Sequence, residues 1–213
     1  MPMELTAAAL WLNRVFAGFD ECLALLIHKL YELAGPILTP FMELISFLGD
    51  DGICLIILSV LLMIPQKTRR YGTAMLLGLA IGALFTNLYL KVVIARPRPY
   101  VDETKVFHDI WVIMGQHMES DKSFPSGHTT AAFAAMVPLF LLGRKKLSWL
   151  ALVFAVLMGI SRIYLMVHYP SDVLGGILVG SIAGILATLI ACKLPAVWYH
   201  FSFFRKGKGA HEG

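Results

Sequence analysis

Two stretches of twenty residues, between Arg70 and Lys91 and between Asp172 and Lys193, pass without a formal charge. A helix of that length is about 30 Å long, the thickness of a bilayer's hydrocarbon core. With 58% apolar residues in a chain of 213 and a mean hydropathy of +0.73, the whole is too apolar for a soluble domain of this size. The chain reads as one all-α integral membrane domain over residues 1–213, a polytopic helix bundle of five to six spans. Five are predicted near 51–65, 72–95, 126–143, 147–167 and 172–194, so that 51–194 forms the bundle. Residues 1–49 divide into Glu4 to Phe16, Asp20 to Leu33 and Ile37 to Leu48, broken by Gly18, Gly35, Pro36 and Pro40. Their charges, Asp20, Glu21, His28, Lys29, Glu32 and Glu43, favour N-terminal interfacial helices beside the bundle over a broken sixth span. Gly78 and Gly82, and Gly176, Gly180 and Gly184, recur every fourth residue and predict close helix contact.

The net charge of +4 does not point to nucleic acid, because the basic residues gather at the ends of apolar runs. Lys67, Arg69 and Arg70, then Arg144, Lys145 and Lys146, then Lys193, Arg205, Lys206 and Lys208 all fall on one side by span counting. The positive-inside rule makes that side cytoplasmic, including the basic tail 195–213, in a multi-pass protein of the cell membrane. Cys22, Cys54 and Cys192 have neither ligand spacing nor an even count, so buried, inert thiols are expected rather than a disulfide framework or zinc site. The N-terminus lacks the pattern of a removable signal peptide.

The same counting brings six distant residues to the extracytoplasmic end: Lys91, Arg98, His128, Arg162, His168 and Asp172. Lys91 and Arg98 are seven apart and would share a helix face, although Pro97 and Pro99 must distort or end that helix. Taken singly, either reads as a basic residue snorkelling at a membrane edge. Pro125-Ser126-Gly127-His128 supplies a cap and a small residue at a helix start, where backbone amides can meet an anion. His168 and Asp172 flank Pro170, with Ser171 or Asp172 expected to open the next helix. A carboxylate there can orient an imidazole for nucleophilic attack, although such pairs are as often structural. The loop from Tyr100 to Phe124 mixes acids such as Glu119 and Asp121 with an apolar patch around Trp111. It reads as a solvated loop with one membrane-dipping segment, a lid being the alternative.

These pieces occur together as Lys91-x6-Arg98-Pro99, Pro125-Ser126-Gly127-His128 and Ser161-Arg162-x5-His168-x3-Asp172. Eleven fixed positions at set spacings do not arise by accident. The chain resembles the type 2 phosphatidic acid phosphatase family of membrane lipid phosphatases, most of all over residues 85–175. The resemblance implies that His168 attacks phosphorus to form a phosphohistidine, that Asp172 holds its other nitrogen, and that His128 protonates the leaving oxygen. Lys91, Arg98, Arg162, Ser126 and the amide of Gly127 would bind the phosphoryl oxygens. A trigonal phosphoryl group needs cations around its equator and acid–base groups on its axis, in agreement. The motif residues hold no carboxylate cluster, so no metal and no cofactor is expected. The expected partners are a phosphorylated lipid substrate and membrane lipids, not nucleic acid. Small bacterial enzymes that take undecaprenyl diphosphate to the monophosphate share the compact layout. Phosphatidylglycerophosphate or phosphatidate phosphatases, a lipid phosphotransferase, and a non-enzymatic lipid transporter are the alternatives.

Overall fold

The computed structural model describes residues 5–200, so Glu4 and the basic tail from Arg205 lie outside the described residues. Those described form helices and no strands. In chain order they are α1 (Ala7–Val15), α2 (Ala17–Phe47), a 3₁₀ turn (Asp50–Gly52), α3 (Ile53–Met63) and α4 (Arg69–Ala83). α4 continues through a π-helical segment (Leu84–Leu90) into α5 (Lys91–Ile94). Then come a second 3₁₀ turn (Pro99–Val101), α6 (Val106–Ile113), α7 (Gly127–Leu142), α8 (Lys145–Tyr164), α9 (Pro170–Lys193) and α10 (Ala196–His200). The four later spans match their predicted ranges to within a few residues, while the first, α3, is a helix of only 11 residues.

α7 is the centre of the bundle and packs against α4, α8 and α9. Met75, Leu79, Phe133, Met136, Ala155 and Met158 fill the space between them. The glycine periodicity has the predicted purpose. A Cβ on Gly78 would lie 2.2 Å from the carbonyl oxygen of Ala134, and one on Gly180 2.5 Å from that of Thr130. The backbones of α4 and α9 therefore touch α7 where no larger residue fits. Lys67, Arg70, Leu142 and Tyr199 line one hollow, which gathers the basic loops at the end of the bundle away from Lys91. Arg69 secures that end by donating to the carbonyls of Met63 (2.8 Å) and Ile64 (3.1 Å) after α3.

The N-terminal region departs from its expected three-part division. α2 is one helix of 31 residues, interrupted only at Ala34 (φ −143°), just before Gly35 and Pro36. By length and hydropathy alone it can cross a membrane. Its contacts take it elsewhere: Asp20, near its start, bonds Ser171 at the head of α9, and Ser46, near its end, bonds Arg162 at the foot of α8. Both are at the same end of the bundle, so the two ends of α2 are fastened to one layer. α1 joins it there, with the Thr6 hydroxyl donating to the Ile94 carbonyl at 2.5 Å. The loop from Tyr100 to Phe124 is likewise more than a solvated segment. Phe107, Ile110 and Met114 are buried beneath it with Tyr164 and Tyr169, because α6 packs its apolar face inward. The three cysteines are unpaired, but Cys22 and Cys192 are exposed on outer helix faces rather than buried. An apolar thiol suits a lipid-facing surface as well as a core, and hydropathy alone does not separate the two.

Substituting Gly78→Ala is expected to overpack the α4–α7 contact and destabilise the fold by about 1–3 kcal/mol. Gly18→Ala, where a Cβ meets nothing within 4 Å, is expected to be neutral or slightly stabilising. Thermal unfolding in detergent compares them, and equal melting temperatures would show that the helices separate freely at Gly78.

Candidate active site

Lys91 and Arg98 meet by a different route from a shared helix face. The helix ends at Ile94, Ala95 takes a left-handed conformation (φ 49°), and the chain turns through Pro97 and Pro99. The prolines forbid continuation, and the two cations converge instead on one carboxylate, Asp121, which forms an ion pair with each. Arg98 also donates to the Val167 carbonyl at 2.7 Å and contacts Nε2 of His168 at 2.8 Å.

That contact fixes the tautomer. A guanidinium can only donate, so Nε2 of His168 accepts, and the proton of the neutral ring resides on Nδ1. His168 lies between α8 and α9 and is almost fully enclosed. Burial first, then the charges of Arg98, Arg162, Lys91 and His128, hold its pKa well below the ordinary imidazole value. The ring is therefore neutral at neutral pH, as a nucleophile must be. Nδ1 is 3.6 Å from Oδ2 of Asp172 and has no hydrogen-bond partner. The expected His–Asp pair is a close approach and not a hydrogen bond.

Asp172 is engaged elsewhere. Pro170 is the first residue of α9 and Tyr169 its cap, rather than Ser171 or Asp172, and the Asp172 carboxylate accepts the Tyr169 N–H at 3.0 Å. It also accepts from the Ser123 hydroxyl (2.5 Å) and from Arg96 (2.6 Å). Arg96 is outside the expected site, yet it is the most connected side chain in this layer. It donates to Asp20 (2.9 Å), Ser171 (2.7 Å) and Asn13 (2.8 Å), and its guanidinium lies 3.8 Å from the centre of the Tyr169 ring. Its one sequence signal is Asp20, an acid in an otherwise apolar stretch that needs a buried partner.

Among the other expected residues, Arg162 bonds the Ser46 hydroxyl and the Glu119 carboxylate. His128 Nε2 lies 2.9 Å from Asp50 in the turn before α3. Ser126 is fully buried. Its hydroxyl caps α7 by accepting from the Thr129 N–H (3.4 Å) and hydroxyl (2.9 Å). Gly127 opens α7 beside Lys91, whose Nζ would be 3.4 Å from a Cβ there.

A cavity of about 400 Å³ joins these groups. Lys91, Arg98, Gly127, His128 and His168 lie on its polar wall together with the acids Asp51, Glu119 and Asp121, and Ile56, Leu76, Leu79 and Ala80 of α3 and α4 continue it as an apolar cleft. Ser126, Arg162 and Asp172 are absent from that wall. Arg162 lines an adjoining hollow of about 280 Å³, and Glu119 borders both. Such a space can hold an anionic head against cations and an imidazole while its chain lies among aliphatic side chains. Among the described residues, no three His, Cys, Asp or Glu side chains cluster as metal ligands.

The PAP2 superfamily model matches residues 71–194. Undecaprenyl-diphosphatase BcrC of Bacillus subtilis is 32% identical over 154 residues, covering 70% of this chain and 73% of that protein. Phosphatidylglycerophosphatase B of the same species is 36% identical over 191 residues, covering 82% and 83%. Among solved structures, a transmembrane PAP2 type phosphatidylglycerolphosphate phosphatase from Bacillus subtilis is similar with a TM-score of 0.65. The two are 30% identical, and the match covers 88% of this chain and 92% of that one. With the motif residues gathered at one end of a helical bundle and a family match over more than half its length, the chain belongs to the PAP2 superfamily and is one of its membrane lipid phosphatases.

Proposed function

We propose that the protein hydrolyses undecaprenyl diphosphate to the monophosphate through a phosphohistidine, at the extracytoplasmic face of the cell membrane. The observation that carries this is the cavity in which Lys91, Arg98, His128 and His168 share a wall that runs into an apolar cleft between α3 and α4. Lys91, Arg98 and Arg162 neutralise the phosphoryl oxygens, with the start of α7 at Gly127 adding its positive helix end. Nε2 of His168 attacks the terminal phosphorus, and the bond to the bridging oxygen breaks. His128 supplies a proton to the departing lipid phosphate. Water then attacks the phosphohistidine, giving its proton to His128, and inorganic phosphate leaves with His168 restored. The basic loops at the far end support a cytoplasmic position for that end, by the positive-inside rule. In this role the Asp172 carboxylate favours the proton on Nδ1 of His168 electrostatically, across 3.6 Å.

The likeness to the undecaprenyl-diphosphatases supports the prenyl substrate. The likeness to phosphatidylglycerophosphatase B favours a second reading, a glycerolipid phosphatase with the same chemistry. Phosphate release by purified protein from undecaprenyl diphosphate, phosphatidylglycerophosphate and phosphatidate in matched micelles, with EDTA present, decides between them. Preference for the prenyl diphosphate is expected, and preference for a glycerolipid would transfer the function to phospholipid metabolism.

His168→Ala is expected to abolish release from every substrate, and Asp172→Asn to lower it while the protein stays folded. Full activity in the first would remove the nucleophile assignment. Orthovanadate is expected to compete with substrate as a pentacoordinate mimic, and indifference to it would count against a covalent phosphohistidine. Because His168 loses its proton below the ordinary imidazole value, the acidic limb of kcat/KM is expected below pH 6.5, and a second limb, on its alkaline side, is expected where His128 loses the proton it donates. A limb above pH 6.5 assigned to His168 would contradict the buried, cation-flanked setting.

A further inference from the structure

Lys91, Arg98 and Arg162 carry their own anions. Asp121 bridges Lys91 and Arg98 with its two carboxylate oxygens, and Glu119 takes Arg162. Three further donors of Arg98 go to the Asp121 carbonyl (3.1 Å), Val167 and His168, and Arg162 turns another to Ser46 while its buried Nε has no partner. A phosphoryl group seated at these cations can use the unpartnered Nε of Arg162, but it competes with the two carboxylates for the donors that they hold.

We propose that Glu119 and Asp121 are affinity-setting residues, tethered carboxylates that compete with phosphate for Lys91, Arg98 and Arg162. This rests on the reading of those three cations as the phosphate-binding set. The exchange is built for side chains rather than for a departing loop. Asp121 is 47% exposed and Glu119 27%, whereas Arg98 and Arg162 are 4% and 3% exposed, so the anions have a path to water that the cations lack. The backbone between them is held. The Tyr100 hydroxyl donates to the Glu119 carbonyl and accepts its N–H, each at 3.1 Å, and the Ser123 N–H donates to the Arg96 carbonyl at 2.8 Å. Alternate residues from 117 to 123 point inward, His117 to Glu43, Glu119 to Arg162, Asp121 to the cation pair and Ser123 to Asp172. Burial works against the charge of Asp121, but Lys91 and Arg98 outweigh it and keep the carboxyl below its ordinary range, hence ionised at neutral pH.

Two consequences follow from competition by fixed carboxylates. An oxyanion with more charge displaces them more readily, so a diphosphate is favoured over a monoester at the same cations. After hydrolysis the carboxylates return and help expel inorganic phosphate.

The test uses full-length purified protein with Asp121→Asn, Glu119→Gln and the double substitution, and inorganic phosphate as the probe. Binding is read by thermal stabilisation, which needs no turnover, and as inhibition of lipid hydrolysis. The half-saturating phosphate concentration is expected to fall about tenfold in the double variant. The ratio of kcat/KM for prenyl diphosphate over a lipid monophosphate is expected to fall with it, while Asp121→Glu restores weak binding. Phosphate affinity that is unchanged or weaker in the variants would overturn the proposal and leave the carboxylates as loop anchors. If the double variant fails to fold by circular dichroism, Glu119→Gln alone decides, read in the same way. Phosphate binding with no release from any lipid would sink the proposed function and leave this inference standing.

Discussion

One guanidinium holds the catalytic end of this bundle together. Arg96 reaches α1 through Asn13, α2 through Asp20, and the head of α9 through Ser171 and Asp172. Its own carbonyl anchors Ser123 in the loop before α7. Asp20, Arg96 and Asp172 are each at most 2% exposed. Removing one member of such a set typically costs about 3–5 kcal/mol, because the others are left charged and dry. Placed among four segments distant in sequence, the arrangement makes the position of Asp172 depend on α2, an element outside the bundle core. α1 and α2 are thereby part of the site's frame.

The site built on that frame separates two kinds of precision. The catalytic layer rests on α4, α7 and α9, whose backbones touch at glycines and have no freedom to slide. The anion contacts above it come from the half-buried Glu119 and the exposed Asp121 on an anchored backbone. Buried cations facing more accessible counter-ions place the fixed charge inside and its partners toward water.

Much of this was legible in the sequence, and the rest was hidden for identifiable reasons. Charge-free runs of bilayer length located the later spans, and span counting alone brought Lys91, Arg98, His128 and His168 to one end, where they share a cavity. The surroundings of Ser126 and Asp172 were not legible, because spacing cannot reveal how many partners a side chain already has. Ser126 is spent on its helix cap, and Asp172 on Arg96, Ser123 and the Tyr169 N–H. Asp20 argued against a simple span without disclosing Arg96, 76 residues away. Glu119 and Asp121 read as loop acidity because their partners come from α5, α8 and the turn after α5, which only the folded chain assembles.

The π-helical segment from Leu84 to Leu90 joins the tightly packed part of α4 to Lys91. A helix advances about 100° per residue, and a wider turn absorbs one residue more than the α ladder does. Gly78 and Gly82 lock the lower part of α4 against α7, so its azimuth is set before the π segment begins. Everything beyond inherits that phase plus the offset of the bulge. With the extra residue taken out of the turn, the Lys91 ammonium would face about 100° around the helix from its present heading beside Gly127. A local change of winding thus determines which way the Lys91 ammonium is aimed.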